Sequence, residues 1–139
     1  MALEKLKVRD VMSTEVVTIG RNDKLAIADD VMKQERIRHM PVLNAADDVC
    51  GIITQRDLFR GALLRALGFG TRAEEMMLNN VVVKEVMSKE VQTTSPDTPI
   101  PDAAKLMIER KIGCLPVVEG DKLIGILTEG DFVKLAAGG

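Results

Sequence analysis

The chain of 139 residues has no tryptophan, no tyrosine and three phenylalanines. Single-strand nucleic-acid binders stack bases on aromatic side chains, so the scarcity of rings argues against that class. Net charge is −2 and the isoelectric point about 5.5, without the cationic surplus that phosphate neutralisation needs. Two cysteines, Cys50 and Cys114, are too few for a disulfide framework. Their apolar neighbours mark them as reduced, core-like thiols. The one histidine, His39, lies 11 positions from Cys50 and 75 from Cys114. Neither spacing is that of a zinc site or of a nucleophile and its base, so neither a metal site nor an enzyme is expected. No apolar run approaches the roughly 18 residues of a membrane span. The opening Met1-Ala2-Leu3-Glu4-Lys5-Leu6-Lys7 mixes charges and is no signal peptide, so the expected compartment is the cytoplasm.

What is present is a globular composition, 46% hydrophobic and 29% charged, arranged as a tandem repeat. Val8-Arg9-Asp10-Val11-Met12-Ser13-Thr14-Glu15-Val16-Val17-Thr18 returns as Val83-Lys84-Glu85-Val86-Met87-Ser88-Lys89-Glu90-Val91-Gln92-Thr93, 75 positions on. The offset holds through Pro41-Val42 and Pro116-Val117, then becomes 74. Gly51-Ile52-Ile53-Thr54 returns as Gly125-Ile126-Leu127-Thr128, and Asp57 as Asp131. The repeats span 7–67 and 83–137, joined by 68–82. Each is marginal in size for an independent core, which implies that the two pack on each other.

Each repeat opens with a strand signal ending at Thr18-Ile19 or its counterpart. Asn22-Asp23 then signals a turn or helix cap, and Leu25, Ile27, Ala28, Val31 and Met32 follow at helical spacing as far as Ile37. The second repeat has Ser95-Pro96-Asp97-Thr98-Pro99-Ile100-Pro101 at that place, with proline where a helix begins. Met40–Leu43 and Leu115–Val118 read as short strands. Val49–Thr54 and Leu123–Thr128 read as the return strands of hairpins. Closing helices are expected from Asp57 to Leu67 and from Asp131 to Ala137. In the connection, Ala73–Leu78 is expected as a short helix with Thr71 as its cap.

These residues resemble the CBS domain, named after cystathionine β-synthase, and the tandem resembles a Bateman module. The markers are Asp10-Val11-Met12-Ser13 and Glu85-Val86-Met87-Ser88, the hydrophobic-Pro-Val strand, and the Gly-hydrophobic-hydrophobic-Thr-x-x-Asp closing motif. All occur twice, in order. The resemblance implies an α/β (α+β) fold of two β-α-β-β-α units packed sheet to sheet in a pseudo-two-fold arrangement. It also implies adenosyl ligands (AMP, ADP, ATP or S-adenosylmethionine) bound in clefts between the units, with no cofactor required, and dimerisation. Energy sensing belongs to the same implication.

Thr54-Gln55-Arg56-Asp57 and Thr128-Glu129-Gly130-Asp131 carry the chemistry. Each follows a strand and opens a helix. Capping explains them without a ligand: the Thr hydroxyl accepts from the N–H three residues on, and Asp favours the first turn. A ligand reading is compatible, because a helix start holds phosphate and an ionised Asp accepts from vicinal ribose hydroxyls. In the family the matching Asp binds ribose, and the Thr contacts ribose or phosphate. Arg38 and His39 match positions at which nucleotide-sensing relatives contact phosphate, and Arg56 offers a further guanidinium; solvated surface charge is the plain alternative for the arginines. Gly113, Cys114 and Gly130 replace these in the second repeat. Three outcomes stay open there: adenosine alone, a ligand whose phosphates reach the other repeat, or an empty site. Adenine needs an apolar slot, for which Val16, Thr18, Met40 and Pro41 could supply one wall, and Val91, Thr93, Leu115 and Pro116 the equivalent wall. Thr18 and Thr93 read equally well as ordinary strand residues.

The expected function is therefore a regulatory module that binds an adenine nucleotide and signals through an unidentified effector protein or a change of oligomer. Leu58, Phe59, Ala62 and Leu63 could pack against a second copy as a homodimer. The alternative is a structural dimerisation module whose ligand sites are unused.

Overall fold

A computed structural model describes residues 2–64, 67–68 and 70–138. The fold is α+β and falls into two compact units that cut across the sequence repeats. Unit A joins Met1–Val16 to Gln92–Gly139, and unit B is Val17–Val91. Thus the opening segment of each repeat belongs with the body of the other.

Unit B contains β1 (Ile19–Gly20), α2 (Leu25–Glu35), β2 (His39–Leu43), β3 (Val49–Thr54), α3 (Gln55–Leu64) and α4 (Gly70–Asn80); α1 (Val8–Val11) lies in unit A. β1 runs parallel to β2, with Ile19 opposite Val42, and β2 is antiparallel to β3, with His39 opposite Thr54. On the far side Ser88 bridges Ile52, exchanging N–H···O bonds of 3.0 and 2.9 Å. Leu25, Ala28 and Met32 lie on one face of α2 at spacings of a turn and two turns, and all are buried. They pack with Ile19, Met40, Val42, Ile53 and Val83.

Unit A repeats this plan with α5 (Ile100–Arg110), β4 (Cys114–Glu119), β5 (Lys122–Thr128) and α6 (Glu129–Ala136). Cys114 is opposite Thr128 in the hairpin. Thr94 bridges Val117 in parallel, and Ser13 bridges Ile126. Ile100, Ala103 and Met107 of α5 pack with Val8, Leu115, Val117 and Leu127.

The repeat's own markers explain the exchange. A Cβ on Gly51 would strike the Met87 sulfur and lie 3.0 Å from the Ser88 carbonyl oxygen. A Cβ on Gly125 would lie 2.7 Å from the Met12 sulfur and 3.0 Å from the Ser13 carbonyl oxygen. The Met-Ser of one repeat therefore seats on the glycine of the other, and that glycine is required for close approach.

Several boundaries differ from expectation. The opening strand shrinks to Ile19–Gly20 in unit B and to the single bridge at Thr94 in unit A, so Val16, Thr18, Val91 and Thr93 are not strand residues. Of the turn or cap expected at Asn22-Asp23 the turn forms, with Asp23 Oδ2 accepting from Gly20 N–H at 2.9 Å. The first helix ends at Glu35, with Arg36 in the left-handed region at φ 55°, and Ile37 lies beyond it. The closing helices begin at Gln55 and Glu129, two residues before Asp57 and Asp131. The expected end of the first at Leu67 overlaps residues 65–66, which lie outside the described residues. The connecting helix is longer than Ala73–Leu78 and contains Thr71, while Met77 and Leu78 pack against the core of unit B.

Candidate functional site

Each unit has a strand-to-helix turn at the end of its hairpin, built the same way. In unit B the antiparallel pairing of β2 and β3 sets His39 opposite Thr54. The Gln55 N–H then donates to the Arg38 carbonyl at 2.8 Å, holding the start of α3 beside the start of β2. In unit A Cys114 is opposite Thr128, and the Glu129 N–H donates to the Gly113 carbonyl at 3.1 Å. Arg38 therefore corresponds to Gly113, His39 to Cys114, Gln55 to Glu129, and Arg56 to Gly130.

Each Thr–Asp pair is closed by hydrogen bonds onto the aspartate. Asp57 Oδ2 accepts from the Thr54 N–H at 2.7 Å and from the Thr54 hydroxyl at 3.2 Å. Asp131 Oδ2 accepts from the Thr128 N–H at 2.9 Å and from its hydroxyl at 3.3 Å. The strand's last residue thus fixes the carboxylate of the helix's first turn. Both bonds fall on Oδ2, and among the described residues none falls on Oδ1 of either aspartate. A half-buried carboxylate held in this way can accept hydroxyl donors without reorganising.

The remaining candidates divide by unit. Thr18, Arg38, His39, Met40, Pro41, Thr54, Arg56, Asp57 and Val91 belong to unit B; Val16, Thr93, Leu115, Pro116, Thr128 and Asp131 belong to unit A. Val16 is therefore not grouped with Thr18, nor Val91 with Thr93. Arg38 and Arg56 are exposed and His39 is half-buried. Met40 and Leu115 require a correction. Both are fully buried members of the two cores, and Pro41 and Pro116 are equally enclosed. The Met40 and Leu115 side chains are taken up by the cores and present no open apolar wall, because both faces of these strands are covered. The periodicity of so short a strand gave no indication of that covering.

Cys114 is buried and free, and burial pushes its thiol up to about 12. Cys50 is half-buried against the core of unit B. Among the described residues no group of three or more His, Cys, Asp or Glu side chains is placed to hold a metal, and no helix is long and apolar enough to cross a membrane.

The chain matches the CBS domain family model over residues 8–63 and 83–138. The chain belongs to the CBS domain family. Among curated proteins it is 32% identical to the CBS domain-containing protein YhcV of Bacillus subtilis, over 90% of this chain and 81% of that one. It is 33% identical over 96% of its length to a homoserine O-acetyltransferase of Methanococcoides burtonii, but spans only 25% of that longer protein. Among solved structures, the CBS domain pair of protein MJ0100, in complex with 5′-methylthioadenosine and S-adenosyl-L-methionine, aligns with a TM-score of 0.78 at 26% identity. The alignment covers 96% of this chain and 97% of that one. The chain is thus a tandem CBS module.

Proposed function

We propose that the chain is a non-catalytic regulatory module that binds adenine nucleotides or a related adenosyl ligand at its strand-to-helix turns. The observation that carries this reading is the duplicated turn, in which an aspartate is held through Oδ2, with no bond on Oδ1 among the described residues. Ribose offers two adjacent hydroxyl donors to such an acceptor. The adenosyl ligands of the MJ0100 domain pair support the assignment. Arg38 and Arg56 add charge suited to phosphate. A ligand acts here by favouring one of two states of the chain, read by an effector protein or by a second copy of this chain. The absence of a nucleophile–base constellation from the sequence supports a non-catalytic role, and the acetyltransferase activity of the longer relative is not assigned to this chain. We place the module in the cytoplasm.

The test is calorimetric titration of Asp57→Ala and Asp131→Ala. Each variant is expected to lose at least about tenfold in affinity at its own turn, as expected for removing a charged acceptor. Unaltered affinity in both would remove the ribose assignment.

The dimerisation reading has its own support. Phe59 and Val133, at equivalent repeat positions, are 59% and 67% exposed. Leu58 instead packs on the core of unit B, and the side chains of Ala62 and Leu63 lie outside the described residues. A homodimer predicts twice the monomer mass in sedimentation at micromolar concentration.

A further inference from the structure

We infer that the two turns take chemically different ligands: the Thr54–Asp57 turn holds an adenosyl ligand bearing phosphate, and the Thr128–Asp131 turn holds one without phosphate. This rests on the adenosyl reading above and narrows it. The hydrogen-bonded register makes four pairs of positions equivalent, so charges can be compared place by place. In unit B the set is Arg38, Gln55, Arg56 and Asp57, two cations against one anion. In unit A it is Gly113, Glu129, Gly130 and Asp131, two anions and no cation. Formal charge is therefore +1 at one turn and −2 at the other. Arg36 and Lys111, just before these sets, are both cationic and do not distinguish them.

A nucleoside monophosphate brings about two negative charges at neutral pH. Both turns open a helix, so the helix N-terminus favours an anion equally in each; the side chains decide. At unit B the arginines offer charge-assisted, forked hydrogen bonds. At unit A Glu129 opposes phosphate, and the set there holds no guanidinium. The residue facing Thr128 is Cys114, buried and uncharged, where unit B has His39. An uncharged 5′ substituent such as a thioether meets no such opposition, while Asp131 still serves the ribose.

Gly130 makes the inference reversible by substitution. A Cβ there would meet only the Thr128 hydroxyl oxygen, at an ordinary 3.5 Å, so a substitution starts without a backbone clash. The experiment titrates ligand-free protein with AMP and with 5′-methylthioadenosine. The wild type is expected to take AMP at one site per chain, and 5′-methylthioadenosine still to bind the AMP-saturated protein. Arg38→Ala with Arg56→Ala should weaken AMP at least about tenfold and 5′-methylthioadenosine less than about threefold. Glu129→Gln with Gly130→Arg should raise AMP stoichiometry from one to two. Two equal AMP sites in the wild type, or equal losses for both ligands in the arginine variant, overturn the inference. So does an unchanged stoichiometry in the Glu129/Gly130 variant when its circular dichroism is that of the wild type. The aspartate variants separate the failures. If Asp57→Ala and Asp131→Ala weaken binding while the turns show no preference, only this inference falls. If they change neither affinity, the adenosyl reading falls with it.

Discussion

At the scale of single residues, the motif glycines and the buried thiol have roles that substitution can measure. Gly51 and Gly125 leave no room for a Cβ because the Met-Ser of the other repeat lies against them. Gly51→Ala and Gly125→Ala should each destabilise by about 1–3 kcal/mol, the usual cost of overpacking. Gly130→Ala, where a Cβ makes only ordinary contact at 3.5 Å, should instead stabilise by about 0.5–1 kcal/mol through helix propensity. Urea midpoints compare all three directly, and equal effects would contradict the close-approach explanation. The Cys114 thiol, ordinarily near 9.0, is pushed up to about 12 by burial. Above pH 9 the unfolded chain ionises this thiol while the folded chain keeps it protonated, so unfolding releases a proton. The stability this provides is fully present below pH 9 and declines as pH rises from 9 toward 12. Unfolding free energies from about pH 8 to about 10.5 should fall more steeply in the wild type than in Cys114→Ala. Identical slopes would show that the thiol is not desolvated in solution.

At the scale of elements, the short opening segments matter more than their length suggests. Val8 and Val83 are fully buried, each in the core formed by the other repeat's strands and helix. Truncating either to alanine should cost about 1.5–3 kcal/mol. Because each valine sits in the core built by the other repeat, Val8→Ala should lower hydrogen-exchange protection in α5, β4 and β5, and Val83→Ala in α2, β2 and β3. Loss of protection in the valine's own repeat instead would contradict the exchange. Much of the element order was legible in the residues, because hairpins flanked by turn residues and a helix of period 3.6 leave strong patterns. Pro99 and Pro101 marked the start of α5 in the same way. The length of α4 was not legible, since Thr71 read as its cap, yet Thr71 lies inside the helix, whose Met77 and Leu78 pack on the core. The opening strands were overread because Val16-Val17-Thr18-Ile19 has strand propensity while only Ile19 pairs with β2.

At the scale of the whole molecule, the duplicated sequence showed two sets of candidate residues but not how the chain distributes them. The repeat suggested two bodies with boundaries at the repeat ends, whereas compactness places those boundaries near Val16 and Val91, within the opening segments. Sequence similarity reports descent, while a compact unit reports which hydrogen bonds and side chains meet; here the two differ by one exchanged segment in each direction. The aspartates were found because their spacing from threonine is the same twice. The direction of their hydrogen bonds needed coordinates, as did the burial of Met40 and Leu115.

The central claim is that this tandem CBS module binds an adenosyl ligand through Asp57 and Asp131. The most direct measurement is calorimetric titration of the wild type with AMP and 5′-methylthioadenosine, after mass spectrometry has shown the denatured protein to be free of ligand, alongside Asp57→Ala/Asp131→Ala. The account predicts saturable heat in the wild type and its loss in the double variant. No saturable heat from either compound at millimolar concentration, or the same isotherm from both proteins, would contradict it.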